Sequence, residues 1–157
     1  MKLRYIACLL TIALLFGNNY ANARNSICTS EVEENKADAL LDNLYDSWEN
    51  IYQYYNLYGK HDCFSEGYFG ESIADAVVKR LADHWESLND LANITSKNKG
   101  FKKYILNKID ATVADDDLIK IHSLANEECP KGLSVLCKNI DTEVIRAFTE
   151  LGGSFSS

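Results

Sequence analysis

Histidines, cysteines, paired acids and a crowd of tyrosines are the residues of this chain whose types could carry chemistry. The three histidines come first. His61 stands beside Asp62, His84 precedes Trp85, and His122 falls inside a helical repeat. No His-Glu-x-x-His motif occurs, and no two histidines are four apart, the spacing that sets two imidazoles on one helix face around zinc. No Gly-x-Ser-x-Gly elbow offers an activated serine. A cysteine nucleophile must be available as thiolate, and Cys28, Cys63, Cys129 and Cys137 are an even set better spent on two disulfides. None of them forms the close Cys-x-x-Cys pair a metal site would use. No catalytic, cofactor-binding or metal-ligating set is therefore expected.

Carboxylates are too numerous to single out. Two acids at a suitable separation can hydrolyse a glycoside, but the chain has 23. Glu66 and Glu71, flanking the Gly67–Gly70 turn, are the least implausible pair. Asp115-Asp116-Asp117 lacks the alternating ligands, the glycine and the closing glutamate of a calcium loop; acids ahead of a helix fit its positive end. Asn93-Ile94-Thr95 is a glycosylation acceptor only where that machinery exists. The aromatic run is more informative. Tyr45, Trp48, Tyr52, Tyr54, Tyr55 and Tyr58 crowd one short stretch, followed by Phe64, Tyr68 and Phe69. Tyrosine offers apolar area with a polar tip, which protein interfaces favour. Trp48, Tyr55 and Tyr58 fall on a core repeat, which leaves Tyr45, Tyr52, Tyr54 and Tyr68 as the candidate interface; a thick aromatic core is the alternative.

The N-terminus sets the compartment. Lys2 and Arg4 precede an apolar run from Ile6 to Phe16, and Ala21-Asn22-Ala23 fits signal peptidase. That run is too short to span a bilayer. Residues 1–23 are expected to be a signal peptide, taking Cys8 with them, and residues 24–157 a single helical domain with no stable membrane anchor. Cleavage removes two cations from a chain already at −7. So acidic a domain excludes nucleic acid and anionic membrane, which need a basic face, and suits a basic protein partner.

Helical periodicity runs through the rest, with one proline, Pro130, so an all-α bundle of five or six helices is expected. Ser30 and Glu33 have capping-box spacing. Ala37, Leu41, Leu44, Trp48, Ile51, Tyr55 and Tyr58 then repeat at alternating steps of four and three, which predicts one helix from 30 to 58. A second helix begins between Ser65 and Ser72 and bends near Asp83. Asn93 to Gly100 reads as a polar connector. Phe101, Ile105 and Ile109 mark another helix with Lys102, Lys103 and Lys108 outward. Leu118, Ile121 and Ala125 mark the next. A last helix, capped by Asp141, is expected to bury Val144, Ala147, Phe148 and Leu151. As one rod, residues 30 to 58 would span about 42 Å, whereas bridged cysteines sit within about 7 Å. That argues against Cys28–Cys63, while the proximity of Cys129 to Cys137 argues for it by elimination. The rod tilts the expectation towards long-range pairings.

Leu57-Tyr58-Gly59, Glu66-Gly67-Tyr68, Asp75-Ala76-Val77-Val78 and Trp85-Glu86-Ser87-Leu88 form one set of matching segments. Phe101-Lys102-Lys103-Tyr104, Ile109-Asp110-Ala111-Thr112, Asp117-Leu118 and Cys129-Pro130 form a second. Together they resemble small exported helical bacterial proteins, most without an assigned role. The nearest group with a known one is the periplasmic immunity proteins of type VI secretion, which block cell-wall-degrading toxins. The resemblance implies a periplasmic or secreted, non-enzymatic binding protein that occludes a toxin or hydrolase; it carries over no inhibitory residue. The competing expectations are a small exported hydrolase using carboxylates and a secreted effector.

Overall fold

A computed structural model describes residues 27–155. The expected signal peptide, with its Lys2, Arg4 and Ala21-Asn22-Ala23, lies outside the described residues. Among those described there is no strand. The seven α-helices are α1 (Glu31–Leu41), α2 (Trp48–Leu57), α3 (Gly67–Asp83), α4 (Leu88–Lys97), α5 (Lys99–Asn107), α6 (Asp115–Glu127) and α7 (Ser134–Glu150). Short 3-10 turns occupy Asp62–Phe64 and Trp85–Ser87. The all-α expectation holds, with more helices than the five or six expected. None of the described helices is long and apolar enough to cross a membrane.

The chain divides between Lys36 and Ala37 into two compact units. In the first, one bond of the expected capping box is present: Glu33 N–H donates to Ser30 Oγ at 3.3 Å, and Lys36 pairs with Glu33 at 2.7 Å one turn on. The second unit holds the core.

The expected 30–58 helix is two helices. Leu41 ends α1, and Ser47, extended at φ −159° and ψ 157°, accepts from Asn50 N–H to begin α2. The chain keeps winding in between, because Leu44 N–H still reaches Leu41 O at 3.1 Å and Asp46 N–H reaches Asn43 O at 3.2 Å. The core repeat therefore stays in phase, and Ala37, Leu41, Leu44, Trp48, Ile51, Tyr55 and Tyr58 are all buried.

Further along, α3 ends at Asp83, where a bend was expected, and Trp85 Nε1 donates to Glu128 O at 2.9 Å. The expected connector from Asn93 is mostly helix. α4 buries Leu88, Leu91 and Thr95 and exposes its polar side, so a strongly amphipathic helix looked like a linker. Only Asn98 breaks it, its side chain accepting from Phe101 N–H at 2.9 Å to cap α5. Lys108 does not point outward. Its ammonium donates to Ser65 O at 2.7 Å and sits 5.6 Å from the Tyr104 ring centre. Gly70 permits that corner: a Cβ there would meet Ser65 O at 2.6 Å.

The last helix begins seven residues before the expected Asp141 cap. Asp141 lies mid-helix and bonds His122 Nδ1 at 2.6 Å, tying α7 to α6, the most extensive helix pair of the fold. Phe155 stacks on that imidazole at 3.8 Å and meets Phe148 at a tilt at 4.5 Å. Correspondingly Leu136, Cys137, Ile140, Val144 and Ala147 are the buried set, while Leu151 is exposed.

Both disulfides form. Cys129 is bonded to Cys137, with Cα atoms 6.1 Å apart, and the second pair is Cys28–Cys63. The expectation of long-range pairings is thus corrected. Its premise was an unbroken rod, and the rod is broken at residues 42–47. Two disulfides fit an oxidising environment outside the cytoplasm.

Candidate interaction face

The four candidate tyrosines have different fates. Tyr54 is wholly buried, and its hydroxyl donates to Phe64 O at 3.1 Å. It leaves the candidate set. With α2 starting at Trp48, the inward stripe widens to Ile51, Tyr54 and Tyr55. Tyr52 is half-buried; its hydroxyl accepts from Asn98 Nδ2 at 3.2 Å, and its ring meets Phe101 edge-on at 4.9 Å. Tyr45 and Tyr68 are exposed, at 43% and 64%.

Those two are held on one helix. Tyr68 opens α3, and its hydroxyl donates to Asp38 of α1 at 3.1 Å. Two turns on, Asp75 accepts from Tyr45 Oη at 2.6 Å. Residues seven apart share a helix face, so both contacts lie along the same exposed edge of α3. The Tyr68 ring also rests on Phe69 at 5.3 Å, the outer end of a row of rings running inward through Phe64 and Tyr58 to Tyr54. The edge continues through Lys79, paired with Asp117 at 2.8 Å, and Asp83, paired with Lys120 at 2.8 Å.

Arg80 fixes the Tyr45 end from beneath. It is buried, and its Nη1 donates to Tyr45 O at 2.8 Å. Nη2 donates to Ser87 Oγ at 3.1 Å, the same hydroxyl that accepts from Trp48 Nε1 at 2.9 Å. The guanidinium lies 5.5 Å from the Trp48 ring centre, a cation–π distance. Nε is buried without a partner. Burial lowers the Arg80 pKa, opposed by the charges of Glu86, Asp90 and Asp46. Arg80 was readable in the sequence as a charge at a core position, seven residues after Ile73 and three after Val77. Asp38 and Asp75 carried no such signal, because each meets a tyrosine 30 residues away in sequence.

The electrostatics are acidic around two neutral phenols. Tyr45 is pushed up to about 12, first by burial, then by its hydrogen bond to Asp75 and by that carboxylate's charge. Tyr68 is raised chiefly by its bond to Asp38, with the charges of Asp38 and Asp42 adding. Both hydroxyls thus stay protonated and donating at neutral pH. Beside Tyr45 lies a shallow depression of about 260 Å³, lined by Tyr45, Asp75, Lys79, Arg80, Asp83 and His84. Its two carboxylates, Asp75 and Asp83, share the depression with the cations Lys79 and Arg80.

The other residues of the sequence reading come out as follows. Glu66 and Glu71 are both exposed at the start of α3. His84 lies 3.4 Å from Glu86 on the surface. No group of three histidine, cysteine or acidic side chains among the described residues could hold a metal ion. Asp115-Asp116-Asp117 form the first turn of α6 as expected, and Asp117 turns inward to Lys79. Comparison of the chain with protein-family models, with curated proteins and with solved structures finds no match.

Proposed function

We propose that this is an exported, non-enzymatic binding protein that blocks a basic protein, as an immunity protein or inhibitor of a toxin or cell-wall hydrolase. The face it uses is the α1–α3 edge. One observation carries this reading: two solvent-exposed tyrosines are each hydrogen-bonded to a carboxylate there, Tyr68 of α3 to Asp38 of α1 and Tyr45 of the α1–α2 turn to Asp75 of α3. Exposed aromatic anchors normally lose rotamer freedom on binding, at about 0.5–1.5 kcal/mol each. Tyr45 and Tyr68 are already fixed. Inhibition would follow by occlusion, with the rings desolvated against the partner and the surrounding acids hastening encounter.

The test is photocrosslinking in the exporting bacterium, with benzoylphenylalanine at position 45 or 68, and at Ile145 as a distant control. The expected result is one basic protein captured from both tyrosine positions and not from position 145, with capture falling as salt is raised. Empty lanes at both tyrosine positions, or the same products at position 145, would sink the proposal.

A further inference from the structure

We infer that a second surface, on the side of α4 and α5, binds an acidic protein segment with an aliphatic anchor. The stretch from Leu91 to Ile109 has five lysines and no acid in a chain whose formal charge is −7. Among the described residues, no ion pair engages Lys97, Lys99, Lys102 or Lys103. Two of these cations, Lys99 and Lys102, border an apolar groove. It has a volume of about 530 Å³ and runs between Ala92 and Thr95 of α4, Lys99 and Lys102 of α5, and the Leu133–Leu136 turn. Val135 lines it while 70% exposed, the most exposed large apolar side chain among the described residues.

The far wall is fixed. Gly132 to Leu136 lie inside the loop closed by Cys129–Cys137, and Gly132 takes φ +88°, a left-handed turn only glycine adopts without strain. A stapled wall loses little entropy when a ligand docks. An exposed valine in a groove wants an aliphatic side chain, and the unpaired lysines above it want carboxylates on either side of that anchor. Single-stranded nucleic acid would match the lysines, but it binds by stacking its bases on aromatic rings, and none lines this groove. A protein segment fits both features. This surface is separate from the α1–α3 edge, so the two proposals fail independently.

The experiment pans a random peptide library displayed on phage against the folded, oxidised protein. Enriched sequences should place Asp or Glu on both sides of Leu, Ile or Val. A synthetic peptide of that sequence should bind about five- to tenfold more weakly for each of Lys99→Glu and Lys102→Glu. Val135→Asp should abolish binding, and circular dichroism of each variant checks folding. Three results would overturn the inference: no enrichment, enriched peptides without acids, or binding indifferent to these variants. So would a labelled single-stranded oligonucleotide that binds in a Lys99- and Lys102-dependent way while no peptide is selected.

Discussion

Tyr54 and Tyr68 are the same residue type at two ends of one row of rings, and the molecule uses them oppositely. The Tyr54 hydroxyl meets a main-chain carbonyl in the core; the Tyr68 hydroxyl meets a carboxylate in water. Burial pushes the Tyr54 pKa up, with the neighbouring Tyr58 and Asp38 adding to it. For Tyr68 the hydrogen bond to Asp38 comes first. A tyrosine packed for stability thus satisfies the backbone, whereas one held for contact is positioned by a side chain that solvent could replace. One end of the row packs the fold, and the other lies on the face we propose for recognition.

The sharpest way to break that contrast is to truncate both ends. Tyr54→Ala should cost about 3–5 kcal/mol, the range for deleting a buried aromatic side chain. Tyr68→Ala should stay within about 0.5 kcal/mol, as for exposed positions. Urea unfolding of the oxidised protein measures both. Similar losses would mean that Tyr68 is part of the core and the contrast is false.

Arg80 joins the two regions, packing on Trp48 inside and holding Tyr45 outside. Arg80→Met keeps much of the apolar stem but leaves the Tyr45 carbonyl without its donor, so a loss of about 1–3 kcal/mol is expected. The same variant should weaken capture through position 45 more than through position 68. A stabilised variant would show instead that burying the guanidinium costs more than its two hydrogen bonds return.

How far the sequence showed this arrangement depends on what each signal reports. The four-and-three repeat from Ala37 to Tyr58 named its buried residues correctly although the helix it implied is broken. Periodicity reports which side faces inward, and a turn that continues to wind by i→i+3 bonds preserves it. The break had a local sign, Ser47 with Asn50 three residues on, but it sat inside an uninterrupted apolar pattern. Lys108 and Asp141 were misread for one reason: a charged residue was assigned to solvent or to a cap, when Ser65 O and His122 lay within reach from distant elements. The tyrosines were legible as a class. Which of them reached the surface was not, because Asp38 and Asp75 meet their tyrosines across 30 residues of sequence.

Removing only the hydroxyls sharpens the comparison further. Tyr54→Phe leaves Phe64 O unpaired in the core and should cost about 1 kcal/mol. Tyr68→Phe frees an exposed carboxylate that water can solvate, so no measurable change in unfolding is expected. The paired measurement isolates the hydroxyl from the ring.

The smallest effect, and the most specific, is alkaline. Tyr45 has a folded pKa of about 12 against 10.0 for an ordinary tyrosine. Below pH 10 the phenol is protonated in both states, so its stabilising contribution is fully present. Between 10 and 12 the unfolded chain releases the proton while the folded chain keeps it, and the contribution is lost as pH climbs through the folded pKa. Asp75→Asn removes the carboxylate's charge, keeps only a weaker amide oxygen as acceptor, and leaves burial, the first cause, in place. Tyrosinate absorbance should therefore show one phenol ionising at lower pH in Asp75→Asn than in the native chain, yet still above 10. Superimposable titrations would mean that Asp75 does not hold Tyr45, and the pre-set anchor on which the acidic face depends would be gone.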